Sequence, residues 1–304
     1  MRPVFNLQDL RQWKTDAPLQ LAVLGDPVAH SASPPMHMAA LRSCGLAHAY
    51  GRLHIKPEEL EETTLLLAQS GFLGVNLTIP HKTAILPLLD HIDPHARIMG
   101  AVNTVSFQNG RTSGFNTDGR GLVRAIAEDF GVQLGALRVM ILGAGGGAGR
   151  AIAIQCAIEG CPQMTLVNRT RQKAEVLAAE VRSLALEQGT TSRVAMLGND
   201  APDLADFARE TDLIIQCSSL GMQEHDASPR PSQMLRPGLL VYDTIYSRET
   251  QLILDARDRG ARTANGLSML LHQGALAFEI WFHRAAPVDA MRSALLEFRQ
   301  TFLQ

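Results

Sequence analysis

Residues 137–160 read LRVMILGAGGGAGRAIAIQCAIEG, an apolar run, a glycine-rich loop and a second apolar run with helical spacing. That order predicts a strand, a tight turn and a helix. MTLVNRT (164–170) supplies the next strand, so 137–170 reads as one βαβ unit. The loop counts as Gly143-x-Gly145-x-x-Ala148, with Gly146, Gly147 and Gly149 also present. A dinucleotide pyrophosphate needs close backbone approach and the amide-rich start of a helix, and this stretch offers both. Glycine alone would mark any turn. Its place between strand and helix makes Gly143, Ala144, Gly145, Gly146 and Gly147 the candidate cofactor cradle.

The end of the second strand selects the cofactor. A carboxylate there would accept from a ribose 2′-hydroxyl and repel a 2′-phosphate. Here stand Asn168, Arg169, Thr170 and Arg171, with Lys173 beyond. Cations and hydrogen-bond donors suit a 2′-phosphate, so the sequence favours NADP over NAD.

Outward from this unit the chain keeps alternating strand and helix signals. On the N-terminal side, LAVLG from Leu21 reads as a strand, GDPVAHSASPP as a loop, and a helix begins at Pro34 with Ser33 as its N-cap. LGVNLTI is a strand, a helix follows near 82–90, AVNTVSF is a strand, NGRTSGFNTDG is turn and loop, and residues 121–130 are helical. On the C-terminal side, DLIIQCS and LLVYDTIY read as strands. GLSMLLHQGALAFEIWF reads as a long helix packed on both sides, and a last helix spans Val288 to Leu303. At 304 residues this is an α/β chain of two domains, with the first segment itself β/α.

Composition removes several classes of function. With 46% hydrophobic residues, 19% charged residues and a net charge of -2, the chain is globular and lacks the basic footprint nucleic acid requires. The N-terminus shows no signal-peptide core and no apolar run reaches membrane-spanning length, so the expected location is the cytoplasm. Cys44, Cys156, Cys161 and Cys217 form no CxxC pair and read as free thiols, and no metal is implied. The sequence does not choose between a monomer and a homodimer.

A set of polar residues in the first segment stands apart from nucleotide binding. Ser31 and Ser33 precede Pro34-Pro35, which delete two of the free amides at that helix start. An anion arriving there is held by the side-chain hydroxyls, and a carboxylate fits. Asp118 in NTDGRG precedes a helix and is also a candidate N-cap; Asn103 lies in AVNT, and Gln273 sits on an apolar helix where a buried amide needs partners. NLTIPHK (76–82) ends on two ionisable side chains, His81 and Lys82.

Taken together, GDPVAHSASP, NLTIPHK, GAVNT, NTDG, GAGGG and GLSMLLHQGALAFE resemble the shikimate dehydrogenase family, which includes shikimate and quinate dehydrogenases, in the same order along nearly the whole chain. The resemblance implies a discontinuous substrate domain (1–118 and 266–304) around a Rossmann-type NADP-binding domain (119–265). It implies that Lys82 transfers the proton and that Asp118 bonds a substrate hydroxyl. Ser31 and Ser33 would bind the ring carboxylate, with Thr78, Asn103, Tyr246 and Gln273 on the other substrate groups. Gly143 to Gly147 would carry the pyrophosphate and Asn168 to Lys173 the 2′-phosphate, with Thr244 and Gly266 near the nicotinamide. The implied reaction is reversible reduction of 3-dehydroshikimate to shikimate by NADPH. The alternatives are a quinate/shikimate dehydrogenase using NAD(P) and a non-catalytic sensor of shikimate and NADP, against which the presence of both Lys82 and Asp118 argues. Two departures stand out: Arg150 comes one residue later than in the family's Gly-Ala-Gly-Gly-Ala-x-Arg, and an extension precedes Leu21.

Overall fold

The computed structural model describes residues 4–14, 18–108, 110–230 and 232–302. Its chain divides into two units, one formed by residues up to Gly121 and from Leu270 onward, the other by Leu122–Met269.

The first unit runs β1 (Val4–Phe5), α1 (Leu7–Arg11), β2 (Leu19–Gly25), α2 (Ser33–Ser43), β3 (Ala49–His54), α3 (Leu60–Gln69), β4 (Gly74–Leu77), α4 (His81–Ala84), β5 (His91–Ile92), α5 (Pro94–Met99), β6 (Thr104–Ser106) and β7 (Ser113–Phe115). The strands form one sheet in the order β1-β3-β2-β4-β6-β7-β5. Pairing is antiparallel for β4 with β6 and β6 with β7, and parallel elsewhere. Leu24, Leu53, Phe72, Val75, Leu77 and Val105 are buried together on it. Each such side chain contributes about 1.5–3 kcal/mol of burial.

The second unit begins within α6 (Asp118–Phe130) and continues β8 (Arg138–Leu142), α7 (Gly147–Ile158), β9 (Gln163–Val167), α8 (Arg171–Glu187), β10 (Arg193–Leu197), α9 (Leu204–Arg209), β11 (Leu213–Gln216), β12 (Leu240–Asp243), α10 (Gln251–Asp258) and β13 (Arg262–Asn265). Its sheet order is β10-β9-β8-β11-β12-β13, and all neighbours are parallel. This is the doubly wound Rossmann order, with its switch point between β8 and β11. α11 (Leu267–Phe282) carries the chain back to the first unit, where α12 (Val288–Phe302) ends it. Leu303, assigned from sequence to the last helix, lies outside the described residues.

Three local expectations are corrected. α2 starts at Ser33 itself, and its cap, Ala32, makes no side-chain bond. The helix expected near 82–90 stops at Ala84 and resumes only as a 3-10 turn over Leu86–Leu88. Pro87 has no amide to continue the ladder. Within the expected loop 109–119, Ser113–Phe115 forms β7 against β6 and β5.

Under α2 an aromatic stack closes the core of the first unit. His37 lies on Tyr50 with ring centroids 4.3 Å apart and planes 8° from parallel, and Trp281 of α11 tilts against both. The Trp281 indole donates to Val105 O at 3.0 Å. Burial lowers the His37 pKa to about 3. The unfolded chain therefore binds a proton below pH 6.5 that the folded chain refuses, and stability falls as pH falls. Between pH 6.5 and 5 the loss from this one group is about 1.5 kcal/mol. Urea melts at the two pH values check this: His37→Leu should flatten the dependence, and an unchanged slope would refute it.

Candidate active site

All the singled-out residues of the first unit gather at one end of its sheet. β2 and β4 are parallel neighbours, so the segments leaving their C-terminal ends, with Ser31 and Ser33 after β2 and Thr78 to Lys82 after β4, emerge together. β6 runs the other way, which brings its start beside the end of β4: Asn76 pairs with Thr104. β7 reverses again, placing Phe115 opposite Thr104 and releasing Asn116, Thr117 and Asp118 at the same end. Ligands of open α/β sheets collect at such strand ends.

There Lys82 Nζ donates to Asp118 Oδ2 at 2.7 Å, and Asn103 Nδ2 donates to Asp118 Oδ1 at 2.8 Å. The pair is partly open: the side chains are 34% and 17% exposed. Asn103 Nδ2 also lies 3.4 Å from Gln273 Oε1, while Gln273 Nε2 is held by Leu270 O. Lys82, Asp118, Asn103 and Gln273 thus form one hydrogen-bonded cluster. Asp118 is the first residue of α6, not a cap spent on the backbone. Asn116 Oδ1 accepts from the Asp118 amide at 3.1 Å instead, leaving the carboxylate to Lys82 and Asn103.

A second layer supports this cluster. Tyr50 donates to Asn76 Oδ1 at 2.7 Å, Asn76 Nδ2 to Thr104 Oγ1 at 3.0 Å, and Thr104 Oγ1 to Asn103 Oδ1 at 3.1 Å. A chain of buried polar groups therefore joins Tyr50, stacked on His37 of α2, to Asn103 and through it to the carboxylate. Ser33 N donates to Ser31 Oγ at 3.3 Å, and Thr78 packs its methyl against Gly25. His81 turns inward: Nε2 lies 2.7 Å from Ile55 O, and burial lowers its pKa. It anchors the residue before Lys82.

In the second unit Gly143 takes φ +79, and a Cβ there would meet Ser218 N at 2.7 Å, so the loops after β8 and β11 touch at the switch point. α7 starts at Gly147 with Gly146 as N-cap, and Gly146, Gly147 and Ala148 are exposed. Gly145 N donates to Asn168 Oδ1 at 3.3 Å, tying the loop to the end of β9. Arg169, Thr170 and Lys173 are exposed at the start of α8. Lys173 also lines a cavity of about 320 Å³ with Ala144, Gly145, Arg150 and Glu180, the last two paired by charge. Past β12, Asp243 accepts from Thr250 Oγ1 at 2.6 Å and from Ile245 N at 3.0 Å, fixing the turn that carries Thr244 and Tyr246. Burial raises the pKa of Asp243 and of the Tyr246 hydroxyl. Gly266 lies against Thr244, where a Cβ would come 2.1 Å from its carbonyl oxygen.

The sequence matches two family descriptions: the shikimate dehydrogenase substrate binding domain over residues 23–105 and the shikimate 5'-dehydrogenase C-terminal domain over 266–296. The NADP(+) shikimate dehydrogenase of Symbiobacterium thermophilum is 43% identical over 279 residues, covering 91% of this chain and 93% of that protein. The chain belongs to the shikimate dehydrogenase family. Two solved shikimate dehydrogenases share its fold. One, in complex with NADP+, has TM-score 0.83 and 35% identity over 91% of this chain and 94% of its own. The other, from Thermus thermophilus with NADP(H) and shikimate, has TM-score 0.79 and 36% identity over 92% and 99%.

Against that family pattern the glycine loop is one residue longer, and the structure says where the extra residue goes. A Cβ on Gly149 would lie 2.3 Å from Gly143 O and 2.7 Å from the Ala144 Cα. Gly149 is buried while Ala148 is exposed. The third fingerprint position, counted from sequence at Ala148, is therefore filled by Gly149, because only a residue without Cβ lets α7 approach the turn. The extension before Leu21 forms β1 and α1; β1 pairs with the free edge of β3, and Trp13 packs on Phe5 and Phe72. Sequence reading also missed Tyr50, Asn76 and Thr104. Their signal was present as polar groups within strands otherwise destined for burial, which must find partners.

Proposed function

We propose that this chain catalyses the reversible NADPH-dependent reduction of 3-dehydroshikimate to shikimate. The carrying observation is the Lys82, Asp118, Asn103 and Gln273 cluster at the strand ends of the first unit. In this reading residues 1–118 and 266–304 hold the substrate and 119–265 hold NADP. The exposed start of α7 and the close packing at Gly149 leave room for a pyrophosphate over Gly143 to Gly147. Asn168, Arg169, Thr170 and Lys173 take the 2′-phosphate, and Thr244 and Gly266 flank the nicotinamide. Bound NADPH supplies the hydride.

The residues of the first unit manage the charge this creates. As the carbonyl carbon is reduced, negative charge grows on its oxygen; the Lys82 ammonium stabilises it and delivers the proton. Asp118 accepts from Lys82 and from the adjacent ring hydroxyl, holding both in line. Asn103 keeps the Asp118 carboxylate aimed, while Thr78, Gln273 and Tyr246 bond the remaining hydroxyls. Ser31 and Ser33 hold the carboxylate. In the oxidative direction the same groups act in reverse.

The test is a steady-state assay of the purified chain with shikimate and quinate, each with NADP+ and NAD+, read by reduced-nicotinamide absorbance. Shikimate with NADP+ should give the highest kcat/KM. Highest turnover of quinate with NAD+, or calorimetric binding of both ligands without any absorbance change, would overturn the proposal.

A further inference from the structure

A buried cation lies beneath the serine pair. Arg52 stands on β3 two residues from Tyr50, so the two side chains leave the same face of the strand. Tyr50 stacks on His37 of α2, and the Arg52 Nη2 donates to the main-chain carbonyl of Ser31 at 2.7 Å. Arg52 is 7% exposed, a level of burial arginine seldom reaches. Ser31 and Ser33 themselves present neutral hydroxyls, and Pro34 and Pro35 remove amide donors from the helix start beside them. Lys82, the cation identified from sequence at this end of the sheet, is paired with Asp118.

We propose that Arg52 is a positioning residue that makes the Ser31–Ser33 turn selective for an anionic group. Its guanidinium fixes the Ser31 carbonyl, and with it the direction of the two hydroxyls. The same bond polarises the peptide joining Ser31 to Ala32, and it sets the guanidinium on the turn that carries the hydroxyls. A carboxylate seated on the hydroxyls feels that charge through protein, where screening is weaker than in water. A neutral group of the same shape gains only the geometry. The inference rests on the reading that the serine pair binds the substrate carboxylate.

The experiment compares shikimate with its carboxamide on the full-length enzyme, as KM, or as competitive Ki where the amide turns over too slowly. Arg52→Met should raise the value for shikimate about tenfold while leaving the carboxamide within about threefold and kcat within about threefold. Arg52→Lys keeps the charge without the planar fork and should recover much of the discrimination. Should Arg52→Met fail to melt cooperatively, Arg52→Gln takes its place in the same comparison. Equal losses for acid and amide would mark Arg52 as a purely structural clamp, and no loss for either would remove it from the site; both overturn the inference. The Ser31→Ala/Ser33→Ala variant separates its failure from that of the serine reading. If the serines set the preference for acid over amide and Arg52 does not, Arg52 alone falls; if the serines do not set it either, both fall.

Discussion

Replacing Lys82 by alanine should lower kcat for shikimate oxidation about a thousandfold, within the range that loss of a general acid or base produces. Affinity for NADPH should be unchanged, because every residue assigned to that cofactor lies in the other unit. The shikimate KM should rise only modestly, since Asn103 still holds the Asp118 carboxylate. Lys82→Arg is the sharper control: it keeps a cation beside Asp118 but cannot release a proton at working pH. It should bind substrate and remain nearly as slow as the alanine variant. Turnover of Lys82→Ala within tenfold of the parent, with substrate affinity retained, would remove the lysine from the chemistry.

Gly149→Val should weaken NADPH binding by about a hundredfold or more, the size expected when backbone approach at a pyrophosphate turn is lost. Its first side-chain carbon would sit 2.3 Å from Gly143 O, a backbone atom that cannot swing away. Either α7 retreats or the turn after β8 opens, and both move the amides meant for phosphate. Ala148→Ser, at the exposed neighbouring position, should bind NADPH like the parent. Fluorescence titration of NADPH, with thermal melts to confirm folding, distinguishes the two. Parent-like binding by Gly149→Val would show that the helix does not depend on that close approach.

The pair of variants also shows where sequence reading stopped. The strand, glycine loop and helix of β8 and α7 were legible because their apolar runs are long and their punctuation is glycine. Which glycine bears the packing was not, because Ala148 and Gly149 differ by one methyl group and only three-dimensional proximity to Gly143 separates them. The strands β11 and β12 were legible as apolar runs ending near Gln216 and Asp243. β13 was not: Arg262–Asn265 is a polar edge strand whose pairing with β12 comes from tertiary contact. β7 is three residues long and contains a glycine, so no periodicity could mark it.

The polar site divides the same way. Ser31, Ser33, Lys82, Asn103 and Asp118 could be picked out because each is a polar residue beside a strand end or helix start. Their hydrogen-bond partners could not, since Asn103 meets Gln273 from far along the chain. The N-cap reading of Ser33 failed by one residue because Ala32 already sits in the right-handed helical region. His81 looked as available as Lys82 in sequence, yet the short α4 points one inward to Ile55 O and the other to Asp118.

The order of synthesis adds a demand that the finished molecule hides. Gly74 leaves room for the indole of Trp281, and that indole covers the Val105 carbonyl, yet Trp281 lies beyond the whole of Leu122–Met269. At translation rates of roughly 5–20 residues per second, the sheet that emerges from the ribosome first waits on the order of ten seconds for its closing helix. The nascent chain thus completes its middle before its beginning, and a stall after Met269 would leave a folded second unit attached to an unsealed sheet.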